Sequence, residues 1–348
     1  GAWLVAFNEA WKYTAVQEEE ELWQTGTLEQ RKTVLATVRT EDPAKGLLLL
    51  QQVWSSENAA TRAELVQQLE TRLSHEDLPW LEEQLQEKST KVKAVIIDLM
   101  KRIPSSSIVQ LYWRLLQPSI EVRTEKKLLG LTSKTVIELT PIKEVDETIF
   151  KTGLEKVSSE KKVSDDVFLL YQLIMSVPPS FLEAHTGLEK AALLKALQQE
   201  EVWLPALAQG AIQFKEVDWL RVIIAQDSTR FYADALSLLP QAEAEAYALQ
   251  HSDNVDHLPD IIQQLIEREA EWGLEITRSI FRFTADNPYQ YSRSFYNGIV
   301  HLIPVAIASE LEQMAPEQSY TKSMWNSLSE YITRLLTLKS ETRKAFNE

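Results

Sequence analysis

The chain of 348 residues has the composition of a folded, helix-rich protein. Hydrophobic residues make up 44% and charged residues 25%, the balance of a globular rather than a disordered chain. Only 9 residues are glycine, fewer than turn-rich β folds use, so the composition favours helices. There is no cysteine, which excludes disulfides, thiolate catalysis and cysteine-ligated zinc or iron–sulfur sites.

The net charge of −15 is unevenly distributed: residues 1–163 sum to −3 and residues 164–348 to −12. Because nucleic-acid binding depends on neutralising phosphates with Lys and Arg, this balance disfavours a nucleic-acid partner. No apolar run approaches the roughly 20 residues of a membrane-spanning helix, so we expect a cytoplasmic protein without a membrane partner. The chain starts at Gly1 rather than Met and is helical in pattern from Trp3, so we expect further residues to precede it.

Amphipathic helices are predicted along almost the whole chain, because apolar residues recur every three or four positions. At the predicted helix starts, Asp42-Pro43 and Asn287-Pro288 each provide a side-chain cap followed by a proline suited to the first turn. Ser74 is followed three residues later by an acid, Asp77, which indicates a capping box. The clearest periodic segments are Leu65–Leu73, Val92–Ile103, Val167–Ile174 and Met324–Leu338.

Four apolar helices end in the same way, with a hydrophobic residue directly before a proline. The prolines lie 74, 62 and 64 residues apart. A repeated terminator favours stacked helical hairpins, although proline after a helix is common in any protein. We therefore predict an all-α fold, a HEAT-like solenoid of helical hairpins. The four pairs are Ile103-Pro104, Val177-Pro178, Leu239-Pro240 and Ile303-Pro304.

Residues 119–140 depart from the helical pattern. Ile120 and Val122 alternate with polar neighbours, as do Ile137 and Leu139, and Gly130 lies between the two runs. This alternation predicts a small β-hairpin. The chain then divides into helical repeats over 1–118, a hairpin insertion with a charged, lysine-rich connection over 119–163, and helical repeats over 164–348.

The segment Arg31–Ser107 resembles HEAT repeats, most closely over Asp77–Pro104. There, Glu87 takes the place of the usual turn aspartate and Lys93 that of the usual arginine. More specifically, this segment is similar to a large, uncharacterised bacterial family that is labelled only as a domain of unknown function. The residues that carry this likeness are Arg39, Asp42-Pro43, Gly46, Trp54, Glu57, Arg62, Ser74, Asp77, Pro79, Leu81-Glu82 and Pro104.

The family resemblance implies partners rather than a reaction. Its members are encoded beside MoxR-type AAA ATPases, von Willebrand factor A domain proteins and SWIM zinc-finger proteins. It supplies no catalytic residue to transfer to this chain.

Signatures of common enzymes are missing from the sequence. There is no Gly-rich phosphate loop, no HExxH helix and no G-x-S-x-G elbow, so neither a catalytic residue nor a cofactor is predicted. The best metal candidate is a loop with two imidazoles and two carboxylates, which are ligands for zinc or manganese. The alternative is that these side chains cap a helix at the surface. The candidates are His251, Asp253, Asp256 and His257.

Two oppositely charged segments are the predicted docking surfaces. Residues 88–134 sum to +7 and residues 241–275 to −8, so each could steer a partner of complementary charge; the alternative is that they serve solubility. The partner-binding candidates are Lys91, Lys93, Lys101 and Arg102 in the basic segment and Glu267, Glu269 and Glu271 in the acidic one.

Several tryptophans fall at helical core spacing and are predicted to pack inside the protein. A tryptophan exposed at the surface would instead be an interface anchor. The core-spaced ones are Trp54, Trp80, Trp113, Trp219 and Trp325.

Three functions follow from these observations. The first is a non-enzymatic scaffold for protein partners, among them an AAA ATPase or a von Willebrand factor A protein. The second is a HEAT-like protein that binds nucleic acid or repairs DNA, which the acidic second half disfavours. The third is a metal-dependent hydrolase that uses the loop at His251–His257.

Overall fold

The computed structural model describes residues 19–127, 132–142, 145–159, 161, 163–198 and 200–347. Most of these residues are helical, and the sheet they contain has two strands. The predicted mostly α fold with a small β-hairpin is thereby confirmed, whereas its HEAT-like character stays a prediction. The chain divides into two compact units, Gly1–Trp219 and Leu220–Glu348. The division predicted from the sequence, at 118 and 163, lies around the hairpin insertion. This division is not the one between compact units, and it also stays a prediction.

Six α-helices lie between residues 28 and 116 of the first unit. Helix α1 packs on α2, α3 packs on both α1 and α5, and α5 contacts α6. The indole rings of Trp54 and Trp80 meet edge to face at 5.0 Å, which joins α2 to α4. The helices are α1 (Leu28–Glu41), α2 (Pro43–Trp54), α3 (Ala59–Gln67), α4 (Leu78–Gln84), α5 (Thr90–Met100) and α6 (Ser107–Leu116).

Short polar side chains start these helices. The Asp42 carboxylate accepts from the Lys45 N–H at 3.0 Å, and Pro43 is the first residue of α2, as the sequence predicts. Asp77 accepts from the Ser74 N–H at 3.0 Å, which is half of the predicted capping box. However, α4 begins after Asp77 rather than after Ser74, and the Asp77 carboxylate also has a second partner.

That second partner is Arg39, which is fully buried in α1. Its guanidinium donates to both Asp77 carboxylate oxygens, at 2.7 and 2.9 Å. Gly46 leaves room for it, since a Cβ at that position would lie 2.6 Å from the Arg39 Cδ. The remaining guanidinium N–H groups donate to the carbonyls of Pro43, Leu69, Thr71 and Arg72. One arginine thus joins α1 to the start of α2 and to the connection that leads into α4.

The hairpin consists of β1 (Ile120–Lys127) and β2 (Thr132–Leu139), paired antiparallel with Ile120 opposite Leu139. Ile120, Ile137 and Leu139 are buried, while Val122 is 45% exposed, so the predicted alternation holds best at the base. At the far edge of β2, the Gln198 N–H donates to the Ile137 carbonyl at 2.8 Å. The predicted turn residue Gly130 lies outside the described residues.

Further helices follow the hairpin in the first unit. Helix α7 packs on α6 and on α10, and α9 contacts β2. Among the described residues, no single helix is long and apolar enough to cross a membrane; α7 and α8, bent by 97°, pass that test only as a pair. The helices are α7 (Asp165–Met175), α8 (Pro179–Thr186), α9 (Lys190–Ala196), α10 (Glu200–Gln213) and α11 (Val217–Gln226), the last of which spans the boundary between the units.

The second unit packs its helices around aromatic residues. The Phe281 ring meets Tyr296 at 5.6 Å and Trp325 at 6.4 Å, and the Trp325 indole N–H donates to the Leu311 carbonyl at 2.9 Å. Its helices are α12 (Ala235–Leu238), α13 (Gln241–His251), α14 (Leu258–Glu267), α15 (Leu274–Asp286), α16 (Arg293–Ile299) and α17 (Ser319–Asn347).

The sequence prediction for Asn287-Pro288 is wrong. Asn287 follows the last residue of α15, and its side-chain amide donates to the Phe283 carbonyl at 2.8 Å. The side chain therefore ends a helix, and residues 288–290 form a turn. A cap residue can serve either end of a helix, and the sequence pattern does not distinguish the two.

The four hydrophobic–proline pairs do lie in connections between helical segments. All four hydrophobic residues are buried. Pro178, Pro240 and Pro304 each directly precede the next helical segment, where a fixed φ suits the start of a helix. The hydrophobic residues are Ile103, Val177, Leu239 and Ile303.

Candidate docking groove

An open groove of about 460 Å³ lies between α6 and α8 of the first unit. The Trp113 ring lines it and meets the rings of Phe181 and His185 edge to face, at 5.5 and 5.8 Å. Three aromatic rings and two side-chain amides therefore line one surface. The lining residues are Gln110, Trp113, Gln117, Phe181, Ala184 and His185.

The orientation of α6 turns Trp113 toward this groove. The Ser106 hydroxyl caps the helix by accepting from the Val109 N–H at 3.2 Å. Tyr112 is fully buried, its hydroxyl donates to the Thr152 hydroxyl at 2.7 Å, and burial raises its pKa to about 12. With Tyr112 fixed inward, the neighbouring Trp113 lies at the edge of the buried stripe and is only half-buried.

The other wall, α8, is held at its start by a carboxylate. Glu216 accepts from the Ser180 N–H at 2.9 Å and from the Ser180 hydroxyl, next to the positive end of the helix dipole. Burial raises the pKa of Glu216, and the two Ser180 bonds oppose this rise. Helix α8 ends at Gly187, whose φ of 68° is left-handed. Phe181 and His185 are thus placed one turn apart on a helix with defined ends.

The polar groups of the groove are amides. The Gln117 amide nitrogen lies 3.2 Å from Nδ1 of His185, so in the neutral imidazole Nδ1 accepts and Nε2 carries the proton. Gln110 donates to the Pro104 carbonyl at 3.0 Å. Such a surface provides aromatic faces for stacking and amides for hydrogen bonding, which is the chemistry of polypeptide recognition.

The sequence prediction that Trp113 packs in the core is therefore wrong. Val109 is buried and precedes Trp113 by one helical turn, so spacing alone cannot separate the two positions. The polar residues around Trp113 were a usable sequence signal that this side of the helix is not buried. Gln110 and Gln117 lie three positions before and four positions after Trp113, on the same helix face.

The predicted basic residues lie around α5, and carboxylates oppose two of them. Lys91 lies 3.4 Å from the Glu64 carboxylate. Arg102 pairs with Glu70 and with Asp98, the latter at 2.9 Å. These ion pairs weaken the positive field that a phosphate backbone would require. The other two candidates, Lys93 and Lys101, are half-buried, and burial lowers the pKa of Lys101.

Arg102 also borders a cleft of about 480 Å³ at the ends of α5 and α10. The Gln213 amide in this cleft donates to the Lys101 carbonyl at 2.8 Å and joins the two helices. Glu70 lies in the same cleft as Arg102 and Lys215. The two cationic side chains of the cleft therefore already have a counter-ion within the protein.

The predicted acidic residues lie at alternate positions, from the last residue of α14 onward, and all three are exposed. Glu271 accepts from Lys339 at 2.8 Å and from Arg343 at 2.5 Å. Burial acts to raise the pKa of Glu271, but the bonds from Arg343 and Lys339 outweigh it and lower that pKa. Glu271 therefore serves the packing of α17. The other two candidates are Glu267, which accepts from Gln263, and Glu269.

The histidines of the candidate metal loop lie close together. The His251 and His257 ring centroids are 5.8 Å apart, and the Phe231 ring stacks on His257 at 4.7 Å. The Asn254 amide donates to Nε2 of His257, while its oxygen accepts from the Asp256 N–H. These bonds stay within the loop, and His257, the N-cap of α14, makes no side-chain capping bond. Asp253 and Asp256 are exposed. Within the described ranges, no three His, Cys, Asp or Glu side chains group together to hold a metal.

One comparison with known proteins gives a match. Residues 1–346 match the model of a Family of unknown function (DUF5691). No curated protein and no solved structure matches the chain.

Proposed function

The chain belongs to this family of unknown function, and we propose that it is a non-enzymatic scaffold that docks a segment of another protein in the groove around Trp113. One observation carries the proposal. Of the tryptophans that the structure describes, Trp113 is the one that is not buried. Tryptophan is the residue most enriched among the side chains that dominate protein interfaces.

The lining of the groove suits an extended segment with an apolar or proline side chain. Trp113 and Phe181 provide aromatic faces against which such a side chain stacks. Gln110 and Gln117 flank the rings and provide amides for the main chain of the segment. Since none of the lining residues is Asp, Glu, Lys or Arg, the segment needs no charge of its own at this point.

The proposed owners of that segment are a MoxR-type AAA ATPase or a von Willebrand factor A protein. This choice depends on the family resemblance, which implies that such proteins are encoded nearby. The charged candidates then have a secondary role in steering the partner. On the acidic side this role belongs to Glu267 and Glu269, because the charge of Glu271 is met by Lys339 and Arg343.

The test measures binding between the purified chain and each of the two purified candidate partners from the same genome. Trp113→Ala should weaken binding about 30-fold or more, the effect of removing a tryptophan that dominates an interface. Tyr289→Ala is the matched control, since Tyr289 is also aromatic and is 72% exposed, but lies in the second unit. Circular dichroism confirms that both variants fold.

Equal binding by Trp113→Ala and the wild-type chain would contradict the groove. Absence of binding to both candidates would contradict the choice of partner. For the acidic side, changing Glu267 and Glu269 to Gln should slow association at low salt and leave dissociation unchanged.

A further inference from the structure

The outer edge of the hairpin is an unpaired strand edge. Among the described residues the sheet holds only β1 and β2. The far edge of β2 is met by Gln198, through its bond to Ile137. The edge of β1 has no such neighbour in the described ranges, and Glu121, Val122, Arg123, Thr124 and Glu125 are all exposed. An exposed strand edge is a template for pairing with another chain.

The hydrogen-bond pattern shows which main-chain groups face outward. The Thr140 N–H donates to the Ser119 carbonyl at 2.8 Å, in the same register as the hairpin. Because antiparallel pairs alternate, residues 121, 123 and 125 also bond across to β2. Residues 122, 124 and 126 therefore direct their N–H and C=O groups away from it. The outward bond of Ile137, which lies opposite Val122, agrees with this assignment.

The charges along β1 are self-complementary. Around Thr124 the sequence is acidic at 121, basic at 123, acidic at 125 and basic at 127. When two copies of this strand pair antiparallel with Thr124 opposite Thr124, each Arg123 lies opposite a Glu125. Thr124 is then a hydrogen-bonded pair, so the Arg123–Glu125 pairs are non-hydrogen-bonded pairs, whose side chains lie closest together.

Other registers place fewer opposite charges face to face. Centring on Thr124 pairs Arg123 with Glu125 and Glu121 with Lys127, whereas centring on residue 122 keeps only Glu121 opposite Arg123 and centring on residue 126 only Glu125 opposite Lys127. A shift that centres the pairing on residue 123 places Arg123 opposite Arg123 and Glu121 opposite Glu125. A shift that centres it on residue 125 places Glu125 opposite Glu125. Like charges directly opposite one another are destabilising, so the charges select the register centred on Thr124.

From these observations we propose that two copies of the chain associate through β1 and join their hairpins into a four-stranded antiparallel sheet about a two-fold axis at Thr124. Within its own hairpin Arg123 also pairs with Glu121 and, at 3.0 Å, with Glu138. A second copy is the proposed occupant because, in the register centred on Thr124, it adds a carboxylate opposite each Arg123 and an amine opposite each Glu121. The proposal is independent of the Trp113 groove, which lies between α6 and α8.

A charge-swap experiment tests the pairing. Sedimentation equilibrium should show a dimer for the wild-type chain, and Arg123→Glu or Glu125→Arg alone should weaken dimerisation at least about tenfold, because each places like charges opposite one another. An equimolar mixture of the two variants should restore association, since every facing pair is then opposite in charge. A wild-type chain that is monomeric at about 100 μM, or a mixture no tighter than either variant, would overturn the proposal.

The register has its own test, which the absence of native cysteine makes simple. Thr124→Cys should form an intermolecular disulfide on oxidation, because hydrogen-bonded partners have Cα atoms about 5.5 Å apart, within disulfide range. Val122→Cys is the control, since two copies of residue 122 would lie four positions apart, about 13 Å. Equal cross-linking of the two variants would refute the register.

Discussion

Replacing Asp77 by Asn tests the buried ion pair at the centre of the first helices. Arg39 and Asp77 are 0% and 2% exposed, and their two hydrogen bonds of 2.7 and 2.9 Å are bidentate. The asparagine amide keeps the size of the carboxylate but lacks its charge. Its NH2 group would also face a guanidinium N–H, so that one donor faces another. An uncompensated buried charge costs about 3–5 kcal/mol. This is a large share of the roughly 5–15 kcal/mol that stabilises a typical domain.

Urea unfolding followed by circular dichroism measures this loss in the transition of the first unit. Glu147→Gln is the matched control, because it makes the same change of carboxylate to amide in an ion pair whose side chains are 60% and 71% exposed. That control should alter stability by about 0.5 kcal/mol or less. If Asp77→Asn costs no more than the control, Arg39 and Asp77 do not hold these helices together.

A double replacement distinguishes this pair from an ordinary buried ion pair. Exchanging both partners of a buried pair for apolar residues is often neutral. Here, Arg39→Met combined with Asp77→Leu should remain destabilised, because the Arg39 guanidinium also donates to four backbone carbonyls. Full recovery of stability in the double variant would show that those carbonyls find other donors.

Three further predictions follow from single residues. Gly46→Ala should cost about 2 kcal/mol, because its Cβ would lie 2.6 Å from the pinned Arg39 side chain; Gly298→Ala, with open space around it, should be neutral or stabilising, and equal effects in calorimetry would contradict this. Burial lowers the pKa of His251, so the stability of the second unit should be complete above the ordinary histidine pKa and fall as the pH drops below it. Thermal unfolding at pH 5 and 7.5 should show a smaller acid loss for His251→Phe, and an unchanged loss would refute the role of this histidine. The lowered pKa of Glu271 means that its contribution is present above the ordinary carboxyl pKa and lost as the pH falls through the folded value. Glu271→Gln should therefore cost about 1 kcal/mol at pH 7 and nothing near pH 2, and a cost that persists in acid would count against the ion pair.

Local patterns were sufficient to predict the helices and the hairpin. The cap at Asp42 with Pro43 depends only on neighbouring residues, and the structure places both as expected. The hairpin was predictable because Ile137 and Leu139 alternate with polar residues, and burial of one face imposes this alternation.

Features that depend on residues distant in sequence could not be predicted in the same way. Arg39 and Asp77 are 38 positions apart, and no local pattern pairs them. Trp113 has core spacing but lies at the edge of the buried stripe, because the inward bond of Tyr112 sets the rotation of α6. For Asn287, both roles of an Asn at a helix end fit the local sequence, and the fold selects between them.

The hydrogen bonds of Arg39 also affect how the first unit unfolds locally. Its guanidinium binds main-chain carbonyls at residues 43, 69, 71 and 72, so α1 cannot detach without breaking contacts to the start of α2 and to the connection that leads into α4. Local openings of native proteins follow such cooperative units rather than single helices. The amides of α1, of α2 and of the connection into α4 should therefore exchange with deuterium through one opening event, with a common free energy of opening. For the same reason, a proteolytic cut within residues 71–77 would release the whole group of helices together instead of trimming it from one end.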